Sequence, residues 1–411
     1  MTATALQQEE HLPEAIVCKW CGKSFHYLKS HISMGRCENI PESAKGLDVD
    51  EVVKMYTSAF PDEPTISRTA LAKLNEKRAE KHSGEGKVAE ISAHPGYAGT
   101  VEYKTELVAA HELLGVTIKE LGTPRGKPLQ VTVNVNTPYP EFVPEAKKNY
   151  VYGDFDLIKD IFMMLEIGIP GYLWGHAGTG KSSLPTQLCA MLNRPLIRAQ
   201  HTASMEEAHV TGQILARDGS TYFEPGLLAL AMKNGWVYLA DEYDFAFPQI
   251  LGVYQPVLEG EPLIIKEATP DWRRITPHKR FAFIGTGNTN GSGDETGLYQ
   301  GTNIQNAANF SRFGIVSNMK YMSTKAEVNM LAEAGVIREY AEKMVKFANL
   351  VREGYEQHLI SQPIGPRELL LSAKIGMMRG DFSAGIEKSF INKLPSTSAQ
   401  AAREVVQKIF G

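Results

Sequence analysis

Residues 175–182 read Gly-His-Ala-Gly-Thr-Gly-Lys-Ser, which is the complete G-x-x-x-x-G-K-[ST] pattern of a phosphate-binding loop (Walker A). The apolar run Tyr172-Leu173-Trp174 precedes the loop, and apolar residues at helical spacing follow it. A glycine turn between a strand and a helix could share the local pattern. The complete motif between a predicted strand and helix instead predicts a P-loop core that binds a nucleoside triphosphate. In such a loop, backbone N–H groups and a helix N-terminus surround the phosphate oxygens.

Two residues of the loop have individual predicted roles. Lys181 is expected to reach the β- and γ-phosphates, and the hydroxyl of Ser182 is expected to bind Mg²⁺. The predicted nucleotide-binding residues are Gly175, His176, Ala177, Gly178, Thr179, Gly180, Lys181, Ser182 and Ser183.

Charge and hydropathy narrow the class of protein. The 411 residues carry 43 basic and 47 acidic side chains, so no global positive field draws the chain to nucleic acid. No apolar stretch approaches the length of roughly 18 residues that a membrane span needs. The first ten residues contain no apolar signal core. We therefore expect a soluble protein of the bacterial cytoplasm that makes no contact with a membrane.

A second nucleotide signal lies further along the chain, where the apolar run Trp236-Val237-Tyr238-Leu239-Ala240 ends in Asp241-Glu242. Acidic residues after a strand are often merely solvated, but after a phosphate loop they match a Walker B strand. Asp241 is predicted to hold Mg²⁺ through water, and Glu242 is predicted to act as the general base toward water. The pair favours hydrolysis over simple nucleotide binding.

A third apolar strand is predicted in residues 280–287, and Asn288 follows it. An amide here can orient the attacking water or contact the γ-phosphate, although asparagine also favours turns. Asn290 is the rival position. Two arginines, Arg312 and Arg367, precede a predicted strand and open a predicted helix, and spacing alone leaves either as a surface residue.

The order of these motifs resembles that of the AAA+ ATPases, in their MoxR and chelatase branch. In that branch a β-hairpin interrupts the second helix, and residues 210–226, with Asp218-Gly219 at the tip, look like this insert. By this resemblance Asn288 is the sensor 1 residue and Arg367 is sensor 2. Arg312 is the arginine finger of a neighbouring subunit's site, although Ser311 departs from the aspartate usual before it.

The similarity narrows to the family of ATPase subunits of aerobic cobaltochelatase (CobS type). It rests on Asp241-Glu242-Tyr243-Asp244, on the loop 293–302 (Gly-Asp-Glu-Thr-Gly-Leu-Tyr-Gln-Gly-Thr), and on tail motifs at 390–393 and 410–411. The resemblance implies a homo-oligomeric, hexameric ring that hydrolyses ATP. It also implies a partner protein with a von Willebrand A-type domain, on which the ring acts.

Three of the four cysteines lie near the N-terminus, in the pattern Cys18-x2-Cys21-x9-His31-x5-Cys37. In a cytoplasmic chain this spacing predicts a tetrahedral Zn²⁺ site rather than disulfides. His26 competes as a ligand, but its place beside Phe25 in a hairpin makes it less suitable. Cys189 follows the phosphate loop and is predicted to be a buried apolar residue.

The predicted organisation has four parts. A zinc finger at 14–40 precedes an accessory region at 41–138, which includes an exposed helix and linker at 71–87. An α/β core at 139–323 precedes a helical lid at 324–411, with helices at 325–350, 367–378 and 398–410. The finger is foreign to the cobaltochelatase family, which suggests a repurposed relative, plausibly phage-encoded. The alternative hypothesis is an ATPase directed to nucleic acid by Lys19, Lys23, Lys29 and Arg36 of the finger.

Overall fold

The computed structural model describes residues 13–33, 36–45, 47–61, 63–70, 101–217 and 219–411. The chain divides into two compact units, Met1–Ser92 and Ala93–Gly411. The predicted helix and linker at 71–87 and the hairpin-tip residue Asp218 lie outside the described residues.

The described residues of the first unit include a short antiparallel hairpin and two α-helices. The hairpin pairs β1 (Ile16–Val17) with β2 (Ser24–Phe25), and α1 (Leu28–Ser33) and α2 (Val49–Ala59) follow. Val52 and Tyr56 of α2 are buried in one cluster with the apolar residues of the hairpin and α1. The packed unit therefore extends past residue 40, the end of the predicted finger.

The second unit contains the remaining strands and helices. Its strands are β3 (Thr105–Ala109), β4 (Gln130–Asn134), β5 (Gly171–Trp174), β6 (Leu196–Gln200), β7 (Gly212–Arg217), β8 (Ser220–Pro225), β9 (Val237–Asp241), β10 (Leu263–Ile264), β11 (Arg274–Ile275), β12 (Ala282–Gly287) and β13 (Ile315–Asn318). Its helices up to β13 are α3 (Ala110–Leu114), α4 (Ile118–Leu121), α5 (Phe155–Ile167), α6 (Ser183–Met191), α7 (Glu207–Thr211), α8 (Leu227–Asn234), α9 (Pro248–Leu251), α10 (Gln255–Leu258), α11 (Pro270–Arg273) and α12 (Ala307–Phe310).

A five-stranded sheet in the order β13-β5-β12-β9-β6 forms the core, and its strands pair in parallel. Every residue of β9 and β12 is buried, as expected for central strands covered by helices on both faces. The phosphate loop follows β5, Asp241-Glu242 ends β9, and Asn288 follows β12. The predicted α/β fold with a parallel sheet is confirmed, and its carboxyl edge gathers these predicted residues.

Three antiparallel strand pairs accompany this sheet in the described residues of the second unit. The predicted insert is present as the hairpin of β7 and β8, with Ile214 opposite Phe223. A second pair joins β10 and β11, and a third joins β3 and β4 within the predicted accessory region. Leu114, Leu121 and Val131 of that region share a buried core cluster with α5 and the sheet. The described residues 101–138 thus pack against the ATPase core.

The C-terminal region is helical, as predicted. Its helices are α13 (Thr324–Glu333), α14 (Arg338–Glu356), α15 (Pro366–Arg379), α16 (Phe382–Ser389) and α17 (Ser396–Phe410). The single helix predicted at 325–350 is wrong, because the chain turns at Gly335, whose φ of 94° ends helical geometry. The sequence prediction also missed α16, whose N-cap Asp381 accepts hydrogen bonds from the Ser383 and Ala384 amides. No helix among the described residues has the length and apolarity to span a membrane.

Candidate functional site

The phosphate loop turns tightly between β5 and α6. Gly175 and Gly178 have φ values of 146° and 83°, which residues with a side chain rarely adopt. A Cβ on Gly175 would also lie 2.4 Å from the carbonyl oxygen of Met319. The backbone geometry therefore explains why the motif requires glycine at these positions.

Lys181 lies at the centre of this loop. Its Nζ donates to the carbonyl oxygens of Gly175 and His176 at 2.7 and 2.9 Å, and to Asn288 Oδ1 at 3.0 Å. Burial lowers the pKa of Lys181 to about 8, although nearby carboxylates, among them Asp241, oppose this shift. The structure therefore brings Lys181 and Asn288 together, as the motif order predicts.

Asn290 does not share this contact among the described residues. Its Oδ1 accepts hydrogen bonds from the amide and hydroxyl of Ser292, so its side chain stabilises a local turn. The geometry therefore favours Asn288 over Asn290 as the amide that faces the phosphates.

Asp241 is held by residues from three neighbouring elements. Ser182 Oγ donates to its Oδ1 at 2.5 Å, Thr286 donates to the same oxygen, and Arg198 Nε donates to its Oδ2 at 2.6 Å. Burial alone would raise the pKa of Asp241, but these hydrogen bonds and the charge of Arg198 hold it below its ordinary value. Ser182 and Asp241 thus present adjacent hard oxygen atoms, a donor set that fits Mg²⁺.

Glu242 has a left-handed backbone, with φ of 53° and ψ of 42°. Its amide donates to Thr286 Oγ1 at 3.2 Å, and Gln200 Nε2 donates to its carboxylate. Gln200 lies on β6 opposite Asp241 of β9, so the parallel register places it beside the carboxyl end of β9. Sequence reasoning missed Gln200, Arg198 and Thr286, because the pairing of these strands is not visible in the sequence.

Asp244 is a further buried carboxylate at this edge. Its Oδ2 accepts hydrogen bonds from the Asn288 amide at 2.8 Å, the Thr289 amide at 2.9 Å and Thr289 Oγ1 at 3.0 Å. Burial raises the pKa of Asp244, although these hydrogen bonds oppose the shift. Asp244 therefore fixes the backbone that carries Asn288. Asp244 is the one charged residue in the run Tyr243-Asp244-Phe245-Ala246-Phe247, and a single carboxylate among apolar residues is the sequence signal that could have identified it.

The loop at 293–302 contacts the phosphate loop. Tyr299 Oη accepts a hydrogen bond from the Ala177 amide at 3.1 Å and lies 2.9 Å from His176 Nδ1. The ring of His176 stacks on Tyr321 with centroids 5.9 Å apart. Burial and the charge of Lys181 lower the pKa of His176, so the imidazole is neutral at pH 7.

The lid contacts the phosphate loop at the start of its third helix, α15. A Cβ built on Gly178 would lie 3.6 Å from Gly365 Cα and 3.7 Å from Arg367 Cβ. A Cβ built on Gly365 would lie 2.8 Å from the Ala177 carbonyl oxygen. The two backbones therefore approach each other closely, and Arg367, in the first turn of α15, lies beside the loop. Its role as sensor 2 stays a prediction.

Deeper in the lid, Arg352 forms a bidentate ion pair with the buried Glu327, with both N–O distances 2.8 Å. Its Nε donates to the Ile364 carbonyl oxygen at 3.0 Å, and its guanidinium lies 4.0 Å from the ring centroid of Tyr321. Arg352 therefore links two lid helices to the start of α15.

Arg312 contacts its own chain at a different place. Its Nε donates to Glu259 Oε1 at 2.7 Å, and its Nη1 donates to the Ala308 carbonyl oxygen. In the preceding α12, Asn309 Nδ2 donates to Tyr243 Oη at 2.8 Å. Among the described residues, Arg312 thus forms an ion pair with Glu259. Its role as the arginine finger of a neighbouring subunit's site stays a prediction.

The four predicted zinc ligands converge in the first unit. One ligand atom from each of Cys18, Cys21, His31 and Cys37 lies within 4.8 Å of the others. His26 Nδ1 instead lies 3.1 Å from Ser67 Oγ. Three thiols and an imidazole form a donor set that fits tetrahedral Zn²⁺.

Cys189 lies apart from this cluster, in the core of the second unit. Burial raises the pKa of its thiol to about 12, so the group stays protonated at physiological pH. The prediction of a buried apolar residue is confirmed.

Comparison with known proteins finds a matching family model and several relatives. The AAA domain of the dynein-related subfamily matches residues 172–302. The aerobic cobaltochelatase subunit CobS of a Sinorhizobium species is 32% identical over 249 residues, which cover 58% of this chain and 74% of that protein. An uncharacterized protein of Staphylococcus aureus is 23% identical over 265 residues, covering 62% of this chain and 96% of that protein.

Among solved structures, the RuvB Holliday junction branch migration motor of Thermotoga maritima superimposes with a TM-score of 0.38. Its sequence is 13% identical, and the match covers 65% of this chain and 72% of that chain.

Proposed function

This chain belongs to the AAA+ ATPase family that includes the aerobic cobaltochelatase subunit CobS, and we propose that it hydrolyses ATP to remodel a partner protein. The observation that carries the proposal is the convergence of Lys181, Ser182, Asp241, Glu242 and Asn288 at one edge of the sheet. These side chains supply the cation, the metal ligands, the general base and the polar amide that phosphoryl transfer to water requires.

Each residue has a defined part in the reaction. The loop amides and Lys181 would bind the phosphates, and Ser182 and Asp241, whose side-chain oxygens lie adjacent, would hold Mg²⁺. Bound Mg²⁺ neutralises charge on the β- and γ-phosphates. Glu242 accepts the proton of the attacking water, and Asn288 orients that water or the γ-phosphate. Gln200 holds the Glu242 carboxylate at the edge of the sheet.

We assign the two arginines to charge stabilisation of the transferring phosphate. Arg367 belongs to the lid of the same chain and lies beside Gly178. Arg312 would act on the site of a neighbouring subunit, after exchanging Glu259 for the phosphate. This division of the site requires a ring, for which six subunits are the arrangement implied by the family resemblance.

The partner is proposed to contain a von Willebrand A-type domain, as the chelatase resemblance implies. The hairpin of β7 and β8 exposes Ile214 and Tyr222, apolar side chains that suit a protein contact. Metal chelation as the final task is supported by the relation to CobS alone. A cytoplasmic location and a phage origin stay predictions.

The N-terminal cluster is proposed to bind Zn²⁺, which would stabilise a unit whose apolar core is small. Under the alternative function, this finger directs the ATPase to nucleic acid. However, Lys19 Nζ lies 2.7 Å from Glu63 Oε1, and Lys23 pairs with Glu38. Because carboxylates neutralise two of the four candidate phosphate contacts, protein remodelling is the better-supported function.

The Glu242→Gln variant tests ATP hydrolysis. Loss of the general base should reduce turnover by about 10² to 10⁴ while ATP binding is retained. The matched control is Glu261→Gln, which changes an exposed carboxylate after α10. Equal turnover by Glu242→Gln and the parent protein would refute the catalytic assignment.

The Glu242→Gln variant can also identify the partner, because it should keep ATP bound without hydrolysing it. Glu242→Gln protein held with ATP should retain a von Willebrand A-domain protein in a pull-down that is read by mass spectrometry. Recovery of nucleic acid, lost when the extract is treated with nuclease, would favour the alternative function.

A further inference from the structure

The loop at 293–302 has no role in the ATPase chemistry proposed above. Its conformation is fixed by hydrogen bonds to one of its own side chains, Asp294. Asp294 Oδ1 accepts hydrogen bonds from the Thr296 amide at 2.9 Å and its Oγ1 at 2.8 Å, and Oδ2 accepts from the Tyr299 amide at 2.7 Å. Slight desolvation would raise the pKa of Asp294, but these hydrogen bonds lower it, so the turn is held by a charged carboxylate. The position of Tyr299 is therefore set by its own loop.

The residue that follows this loop is fixed to the segment after β9. The Asn303 amide donates to the Asp244 carbonyl oxygen at 2.7 Å, and Asn303 Nδ2 donates to the Phe245 carbonyl oxygen at 3.1 Å. Asp244 also holds the backbone of Asn288 through its side chain. The end of the loop is thus tied to Asp244, the residue that positions the backbone of Asn288.

The hydroxyl of Tyr299 reaches one peptide group of the phosphate loop, the group between His176 and Ala177. The Ala177 amide donates to Tyr299 Oη at 3.1 Å, and the carbonyl oxygen of His176 accepts from Lys181 Nζ at 2.9 Å. One peptide plane is therefore held by Tyr299 on its N–H side and by Lys181 on its C=O side. Tyr299 Oη also lies 2.9 Å from His176 Nδ1, so the same hydroxyl contacts both the side chain of His176 and the peptide that follows it.

We propose that Tyr299 is a positioning residue for ATP hydrolysis. By fixing the His176–Ala177 peptide, it holds Lys181 Nζ at the place where Lys181 also meets Asn288. The loop at 293–302 thus connects the Asn288 segment to the phosphate loop and sets their separation. This inference rests on the proposed ATPase function, because it assigns a residue to the same site.

Tyr299→Phe tests the inference, because it removes the hydroxyl and keeps the ring. We expect kcat to fall about tenfold, the effect of losing one to two hydrogen bonds at a positioned group. The Kd for a fluorescent ATP analogue should change less than about threefold, because the amides that follow Gly178 remain in place. The unfolding temperature without nucleotide should stay the same. Tyr340→Phe is the matched control, because the Tyr340 ring stacks on Phe382 at the lid surface.

A double-mutant cycle with Asn288→Ala separates positioning from general structural support. If Tyr299 acts through the contact of Lys181 with Asn288, the double variant should be no slower than the slower single variant. If the kcat losses of the two single variants multiply in the double variant, the inference is overturned. It is also overturned if Tyr299→Phe loses nucleotide binding, turnover and unfolding temperature to the same extent. A parent protein without ATPase activity would refute the proposed function instead. An active parent matched by Tyr299→Phe would refute only the role of Tyr299.

Discussion

Arg198 Nε donates to Asp241 Oδ2 at 2.6 Å, so a guanidinium covers one oxygen of the carboxylate proposed to bind Mg²⁺. The Arg198 side chain is 56% exposed, whereas the Asp241 side chain is 3% exposed. The other carboxylate oxygen accepts from Ser182 and Thr286. Both oxygens of Asp241 thus already have partners, and a metal ion must compete with Arg198 for Oδ2.

Removing this competitor should strengthen Mg²⁺ binding. In Arg198→Met the concentration of Mg²⁺ for half-maximal nucleotide binding should fall about two- to fivefold, the range expected for an ion pair whose guanidinium is exposed to solvent. A fluorescent ATP analogue titrated with Mg²⁺ measures this concentration directly. Arg403→Met is the matched control, because Arg403 pairs with Glu387 within the lid. A higher Mg²⁺ requirement in Arg198→Met would contradict competition.

The pair of Arg312 with Glu259 leads to a prediction about shared sites. Neither Arg312→Ala nor Lys181→Ala rings should hydrolyse ATP well, since each lacks an essential cation. A mixture of the two proteins should regain activity, because some sites then combine an intact phosphate loop with an intact neighbouring arginine. ATPase assays on the mixture check this, with gel filtration to confirm that both variants assemble. Mixtures that assemble and stay inactive would remove the main support for a site shared between subunits.

ATP affinity should depend on pH through Lys181. Since burial lowers the pKa of Lys181 to about 8, its ammonium is protonated at pH 7 and loses its proton as the pH rises through 8. At pH 9 about a tenth of the chains keep the charge, so the Kd for ATP should be about tenfold weaker than at pH 7. Lys181→Arg is the control, because a guanidinium stays charged over this range. The same pH dependence in both proteins would assign the effect to another group.

Zinc content tests the N-terminal cluster. The full-length protein should contain about one Zn²⁺ per chain by elemental mass spectrometry, because four ligand atoms converge at one point. Cys18→Ser should lose the metal, while Cys189→Ala should keep it, since Cys189 lies in the core of the second unit. Zinc retained by Cys18→Ser, or missing from the parent protein, would contradict the assignment.

Motifs at the ends of strands were the part of the site that the sequence predicts well. Lys181, Asp241 and Asn288 each follow an apolar run, and the carboxyl ends of parallel strands share one edge of the sheet. The spacing of Cys18 and Cys21 likewise predicts a common metal site, and the structure brings these residues together with the other two ligands. For these residues the local sequence pattern and the chemistry of the side chains are sufficient to predict that they share a site.

The residues that were missed depend on register and on distant contacts. Gln200 stands opposite Asp241 only because β6 pairs with β9. The alternation of apolar and polar residues within β6 does not reveal which strand lies beside it. Tyr299 meets the phosphate loop across more than a hundred residues of chain, so only the three-dimensional structure shows what its loop contacts. The break at Gly335 was missed because helical periodicity continues on both sides of it.

Gly178 and Gly365 bring the backbones of the phosphate loop and the lid close together, since a Cβ on Gly178 would lie 3.6 Å from Gly365 Cα. A change in the loop backbone on nucleotide binding is therefore expected to shift the start of α15 directly, with no side chain between the two backbones at this point. Because Arg352 of α14 bonds both to Glu327 of α13 and to the Ile364 carbonyl oxygen just before α15, we expect these three helices to move together as one body.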